Sequence, residues 1–164
     1  MCLENKMRCG KASSLLAQAD STVNDMDQLG AMGADIKSQS YFAKYLVVYL
    51  CGIYEQCIEE IIGEAARRAG NNEIANLISS QMSNTFRNPS SQRVMDLLKQ
   101  CSSQWRDTFV ALDQKHASAL DSIVNNKNCI AHGAPCVVSL MDIKQYHMDA
   151  KQVIYTVDCL FLGP

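Results

Sequence analysis

This sequence has no surplus of positive charge, no Cys-x-x-Cys pair, no apolar run long enough to cross a bilayer, and no internal repeat or low-complexity tract. Each absence removes a class of function. Lysine and arginine together number 15 against 17 acidic residues, so a broad DNA-binding surface, which is normally basic, is not expected. A small cationic pocket for one or two phosphates remains compatible with that balance. The uncharged apolar stretch from Tyr45 to Tyr54 falls well short of the ~20 residues that span a bilayer. It reads as a buried helix, and no membrane partner is expected. The cysteines, at Cys2, Cys9, Cys51, Cys57, Cys101, Cys129, Cys136 and Cys159, are irregularly spaced and mostly sit in apolar helical runs. Free cysteine there behaves as a small hydrophobe. The start, Met1-Cys2-Leu3-Glu4-Asn5-Lys6, lacks the apolar core of a secretory leader. Reduced thiols in a cytoplasmic protein are the expectation. Cys129, His132 and Cys136 form the one local cluster, with three ligands and no evident fourth, so neither a metal nor another cofactor is expected.

What is present is helical periodicity. Residues 11–29 carry Leu15, Leu16, Ala19, Val23, Met26 and Leu29 at helical spacing before Gly30 and Gly33 interrupt it. A long helix over about 38–69 presents Tyr41, Tyr45, Val48, Cys51, Ile58, Ile61, Ile62 and Ala65 as a broad apolar face. A third follows over about 72–86, with Ile74, Leu77, Ile78 and Met82 on one side. The turn at Asn88-Pro89 leads to a serine cap ahead of Val94, Leu97 and Leu98. A short helical piece at 105–112 precedes a helix over about 113–132. Ser139 then caps a final helix through about Leu162, with Ile143, Tyr146, Ala150, Val153, Val157 and Leu160 as its stripe. No segment reads as a convincing strand. The fold class is therefore all-α, a single-domain antiparallel helical bundle over residues 11–164, preceded by a flexible N-terminal segment at 1–10. His116 and His147 read as surface residues, and Tyr45, Tyr49 and Tyr54 as core in preference to a base-stacking platform.

Chemistry concentrates in the stretch from Ile123 to Gly133. Gly133 accepts positive φ cheaply and Pro135 follows, so the helix stops there. His132 thus lies where the helix dipole favours a cation, and imidazole is the side chain that changes charge near neutrality. Asn128 lies one turn before it on the same face. Lys127 lies five residues before it, roughly 140° away around the axis. A single straight helix cannot aim both at one small ligand, so either the helix end turns the ring or a second copy supplies the missing group. Cleavage of RNA needs a proton taken from a 2′-hydroxyl, a proton given to the leaving oxygen, and charge stabilisation on phosphorus. His132 suits the proton transfer, Lys127 the charge and Asn128 the orientation. The plainer alternatives are a histidine capping its own helix and a solvated lysine. Asn125, Asn126 and Asn128 are middling helix formers, and their crowding marks either a site or a frayed last turn. Glu55, amid apolar residues, could pair with Lys127 or His132, or simply face solvent.

Lys127-Asn128-Cys129-Ile130-Ala131-His132-Gly133 resembles the motif of the HEPN domains, in which an arginine precedes a histidine by four to six positions, commonly as Arg-Asn-x-Ile-Ala-His. The runs from Tyr45 to Ile62 and from Phe86 to Leu98 resemble the RiboL-PSP branch of that family. The similarity spans roughly residues 38–160. It implies a helical domain acting as a metal-independent endoribonuclease that leaves 2′,3′-cyclic phosphate and 5′-hydroxyl ends. It further implies a homodimer with a composite site, and service as a toxin or antiviral defence effector held back by an inhibitory or regulatory protein partner. His132, Lys127 and Asn128 would be catalytic, with Asn126 and Glu55 supporting. One departure falls on a functional position: Lys127 stands where the family has arginine. Lysine keeps the charge but lacks the planar fork that grips phosphate through two parallel bonds. The alternative is a catalytically silent HEPN domain that binds RNA, nucleotide or a protein partner.

Overall fold

The computed structural model describes residues 7–163, which form seven helices and no strand. They are α1 (Gly10–Ala31), α2 (Ile36–Arg68), α3 (Asn72–Thr85), α4 (Ser91–Cys101), α5 (Ser103–Val110), α6 (Gln114–Ala131) and α7 (Leu140–Leu162). The helix starts have identifiable chemistry. Asp35 Oδ1 accepts from the backbone of Lys37 and Ser38, so α2 begins ahead of the expected Ser38. Asn71 caps α3 and Ser90 caps α4. Ser139 and Asp142 cap α7 reciprocally, each side chain accepting from the other's backbone N–H.

The 33-residue α2 is the spine. It packs against α1, α3, α6 and α7, while α6 and α7 lie together across the loop at 132–139. Leu46, Leu50, Ile58 and Ile61 of α2 meet Leu120 and Ile123 of α6 and Ile143, Val153 and Ile154 of α7 in one buried core.

Several sequence expectations change here. Residues 1–6 of the expected flexible start lie outside the described residues. At residues 7–10 the chain is instead held: the buried Asp158 carboxylate accepts from the backbone N–H of Arg8 at 2.8 Å and of Cys9 at 2.9 Å, and Cys9 is itself buried. Tyr41, Tyr45 and Val48, read as core, are exposed, as are Ile74 and Leu77 of α3, where Ala75 and Met82 are buried instead. In α2 the buried positions are Ala43, Leu46, Val47 and Leu50, a second apolar face that the first obscured. Of the three tyrosines read as core, only Tyr54 is buried. Cys159 is disulfide-bonded, so the expectation of reduced thiols throughout does not hold there. Among the described residues no helix is long and apolar enough to cross a membrane.

His147 is the largest correction, for it is 2 % exposed. Its Nδ1 lies 2.7 Å from the Tyr54 hydroxyl and its Nε2 lies 2.9 Å from Asp20 Oδ1, which also accepts from Lys151 Nζ at 2.6 Å. A neutral ring that accepts from Tyr54 and donates to Asp20 satisfies all three groups, stitching α1, α2 and α7 together. His116 is also half-buried, its Nδ1 3.4 Å from Asp149 Oδ1 without hydrogen-bond alignment.

Candidate functional site

α6 runs unbroken to Ala131, and its C-terminus is closed by the backbone. The His132 N–H donates to the Asn128 carbonyl at 3.0 Å and the Ala134 N–H to the Cys129 carbonyl at 2.9 Å, across Gly133 at φ +68°. Glycine is the residue that takes this left-handed turn without cost. The carbonyls that the His132 ring was suspected of capping are therefore partly met by main-chain donors. The ring is exposed, and its side chain makes no hydrogen bond or ion pair among the described residues.

Lys127 is held firmly. Its Nζ donates to Asn88 Oδ1 at 2.6 Å, and the Asn88 backbone N–H donates to Glu55 Oε1 at 2.5 Å. Asn88 adopts φ +54°, and Phe86 and Pro89 on either side are buried. Asparagine is among the few non-glycine residues that tolerate this region. The turn is fastened further by the Arg93 guanidinium, which donates to the Arg87 carbonyl. Asp121 of α6 accepts from the backbone and hydroxyl of Ser91 at 2.7 and 2.6 Å, tying the start of α4 to the motif helix. An ammonium with three protons gives one to Asn88 and keeps two for a ligand.

The electrostatics locate this group over α2. Burial, and then the Glu55 carboxylate, push the Cys51 thiol up to about 11, with Lys127 opposing. Glu59 is raised by burial and by Glu55 one turn away, with Arg87 opposing. Glu55 thus supports Lys127, but through Asn88. It makes no ion pair with Lys127 or His132 among the described residues.

The remaining expected residues separate. Asn128 is half-buried with its side-chain amide uncommitted. Asn126 is engaged at both ends, its Nδ2 donating to the Ser122 carbonyl at 2.8 Å and its Oδ1 accepting from the Cys136 thiol at 3.2 Å. It pins the loop after α6. With Cys136 so occupied, Cys129, His132 and Cys136 are not assembled as ligands, and no metal-holding group of three occurs among the described residues. The residue missed from sequence is Asn88. The signal available was the Asn-Pro pair, which marks a turn but does not say what the turn holds.

Asn88 provides a direct prediction. Asn88→Gly keeps the left-handed turn and deletes only the acceptor for Lys127, whereas Asn88→Ala adds backbone strain of about 1 kcal/mol. The glycine variant is expected to melt near wild type and the alanine variant lower, by thermal unfolding monitored with circular dichroism. Both are expected to lose the same share of whatever function Lys127 serves.

The family model of RiboL-PSP-HEPN matches residues 12–162. No curated protein and no solved structure gives a match. HEPN domains are generally RNase-like or nucleotide-binding, and the helical frame is in keeping with that family. The chain belongs to the RiboL-PSP-HEPN family.

Proposed function

We propose that this protein is a metal-independent endoribonuclease that works as a homodimer with a composite site. The observation that carries the reading is the uncommitted, exposed His132 ring at the end of a helix whose Lys127 is fixed by Asn88 and Glu55. A histidine serving only its own helix end would be bonded there. In the proposed reaction the imidazole of one copy removes the 2′-hydroxyl proton, and the 2′-oxygen forms a bond to phosphorus. The bond from phosphorus to the 5′-oxygen breaks, and that oxygen takes a proton from the second copy's imidazolium. The two free protons of Lys127 stabilise the charge on the non-bridging oxygens. Asn128, one turn from His132, orients the sugar or the phosphate. The products are a 2′,3′-cyclic phosphate and a 5′-hydroxyl, and the natural setting of such an activity is a toxin or defence effector in the cytoplasm.

A second reading has its own support. Lys127 lacks the arginine fork and already spends a bond on Asn88, which suits a silent domain that binds RNA without cutting it. Incubation of the purified chain with a structured RNA in EDTA separates the two. The enzyme is expected to release fragments with cyclic phosphate ends, and Lys127→Arg is expected to raise the rate by restoring bidentate contact. Retention of RNA with no cleavage, even by Lys127→Arg, would establish the binding module.

A further inference from the structure

Two of the helices begin on the same chemistry, with one difference. Ser139 caps α7, and Asp142, three residues on, accepts in return from the Ser139 backbone N–H. Ser90 caps α4 in the same way, but the residue three on, whose backbone N–H it accepts, is Arg93. That place favours glutamate or glutamine, which can reach back to the cap, and the helix dipole disfavours a cation in the first turn. Arginine at 93 thus breaks a local rule, and such breaks without a packing gain point to function. Arg93 shows no such gain: it is exposed and makes no ion pair among the described residues.

Its side-chain bond places it at the candidate site. Nη1 donates to the carbonyl of Arg87, and the next residue, Asn88, accepts from Lys127 Nζ at 2.6 Å. The two cations therefore bond neighbouring residues, whose Cα atoms are ~3.8 Å apart. The peptide joining those residues is held on both sides, its N–H by Glu55 Oε1 at 2.5 Å and its carbonyl by Arg93. The nearby carboxylates are spent on the chain, Glu55 on the Asn88 N–H and Asp121 on Ser91, and neither pairs with Arg93 or Lys127 among the described residues. The Arg87 guanidinium is bonded instead to the Ser83 carbonyl at 3.2 Å.

The donors left unspent suit a phosphate. With Nη1 engaged, Arg93 keeps its Nε–Nη2 edge, two parallel N–H groups that match two oxygens of a phosphate. Lys127 keeps two protons after serving Asn88. A guanidinium already bonded at one end also loses less freedom on binding than a loose side chain.

We propose that Arg93 and Lys127 together grip one phosphodiester of an RNA strand, Arg93 supplying from α4 the planar fork that the motif lysine lacks. This rests on the phosphate role given to Lys127 above, and adds to it a residue from outside the motif.

Binding of a single-stranded oligonucleotide with 2′-O-methyl sugars, which has no 2′-hydroxyl to attack and cannot be cut, tests it by fluorescence anisotropy across a range of salt. Arg93→Gln is expected to weaken binding about tenfold and to make the slope of log affinity against log salt shallower by about 0.7, as for one phosphate contact on a single strand. Its melting temperature is expected to be no lower, since glutamine at this place completes the cap. Arg93→Lys, with the charge but not the fork, is expected to keep the slope and lose about threefold in affinity. Arg106→Gln, which removes a guanidinium already spent on Asp107, is expected to bind as the wild type does. A wild-type chain that does not bind, an unchanged affinity and slope in Arg93→Gln, wild-type affinity in Arg93→Lys, or an equal loss in Arg106→Gln would overturn the proposal. Binding that depends on Arg93, in a chain that leaves native RNA intact, supports the phosphate grip and defeats the ribonuclease reading. Cleavage of native RNA at the wild-type rate by Arg93→Gln does the reverse.

Discussion

His132→Ala is expected to lower RNA cleavage by about a thousandfold, in the range of about 10²–10⁴ associated with a positioned acid–base group, with the melting temperature unchanged. The stability half of this expectation follows from exposure: the ring makes no side-chain bond among the described residues, and the helix end is closed by main-chain donors across Gly133. The kinetic half follows from the proposed proton transfers. Single-turnover cleavage and thermal unfolding on the same preparation check both. A variant that melts lower and cuts normally would mean the ring is a structural cap after all. A composite site that uses both rings adds a second expectation: an excess of His132→Ala copies mixed with wild-type copies should lower the rate per wild-type copy, because each mixed dimer holds only one imidazole.

The second large effect concerns stability. His147→Ala is expected to destabilise the fold by about 3 kcal/mol, since it opens a cavity and strips a fully buried tyrosine hydroxyl of its acceptor. The ring also imposes a pH dependence. Burial, then the nearby Lys151, hold His147 below its ordinary 6.5, with Asp20 partly opposing. In the unfolded chain the ring takes up a proton as pH falls through 6.5, whereas the folded ring does so only at lower pH. The unfolded state thus binds more protons in that interval, and stability falls with pH. The contribution of His147 is complete above 6.5 and is lost as pH drops through the depressed folded value. Urea midpoints measured across this interval should decline for the wild-type chain and decline less for His147→Leu. An equal slope in both proteins would assign the dependence to other groups.

Much of the helical frame was readable from local signals because its punctuation is chemical. Ser90 and Ser139 cap, Gly70 and Gly133 stop, and the apolar spacing of α7 points to Ile143, Ala150, Val153 and Val157, which are buried, while Tyr146 and Leu160 of the same stripe are half-buried. Periodicity fails where a helix has more than one apolar side. Along α2 the rule selects Tyr41, Tyr45 and Val48 as readily as Leu46, Val47 and Leu50, and only the packed neighbours α1, α6 and α7 decide which set is covered. Buried polar residues fail for a different reason. His147 is surrounded in sequence by Tyr146, Met148 and Asp149, a mixed stretch typical of a surface, and the partners that satisfy it come from α1 and α2, 127 and 93 residues away. The candidate site shows both limits. Lys127, Asn128 and His132 lie within six residues and could be recognised together, whereas the role of Glu55 depends on Asn88, a turn residue whose function becomes visible only when α2 and α6 are brought together.

The grip of Asp158 on the backbone of residues 8 and 9 has a practical corollary. It joins the residues just before α1 to the far stretch of α7, about 30 Å along that helix from the loop carrying His132. Both ends of the described chain therefore leave from one pole. This anchorage lies at the opposite pole from the imidazole, so a substitution at Asp158 that releases residues 8 and 9 is expected to leave the loop around His132 in place.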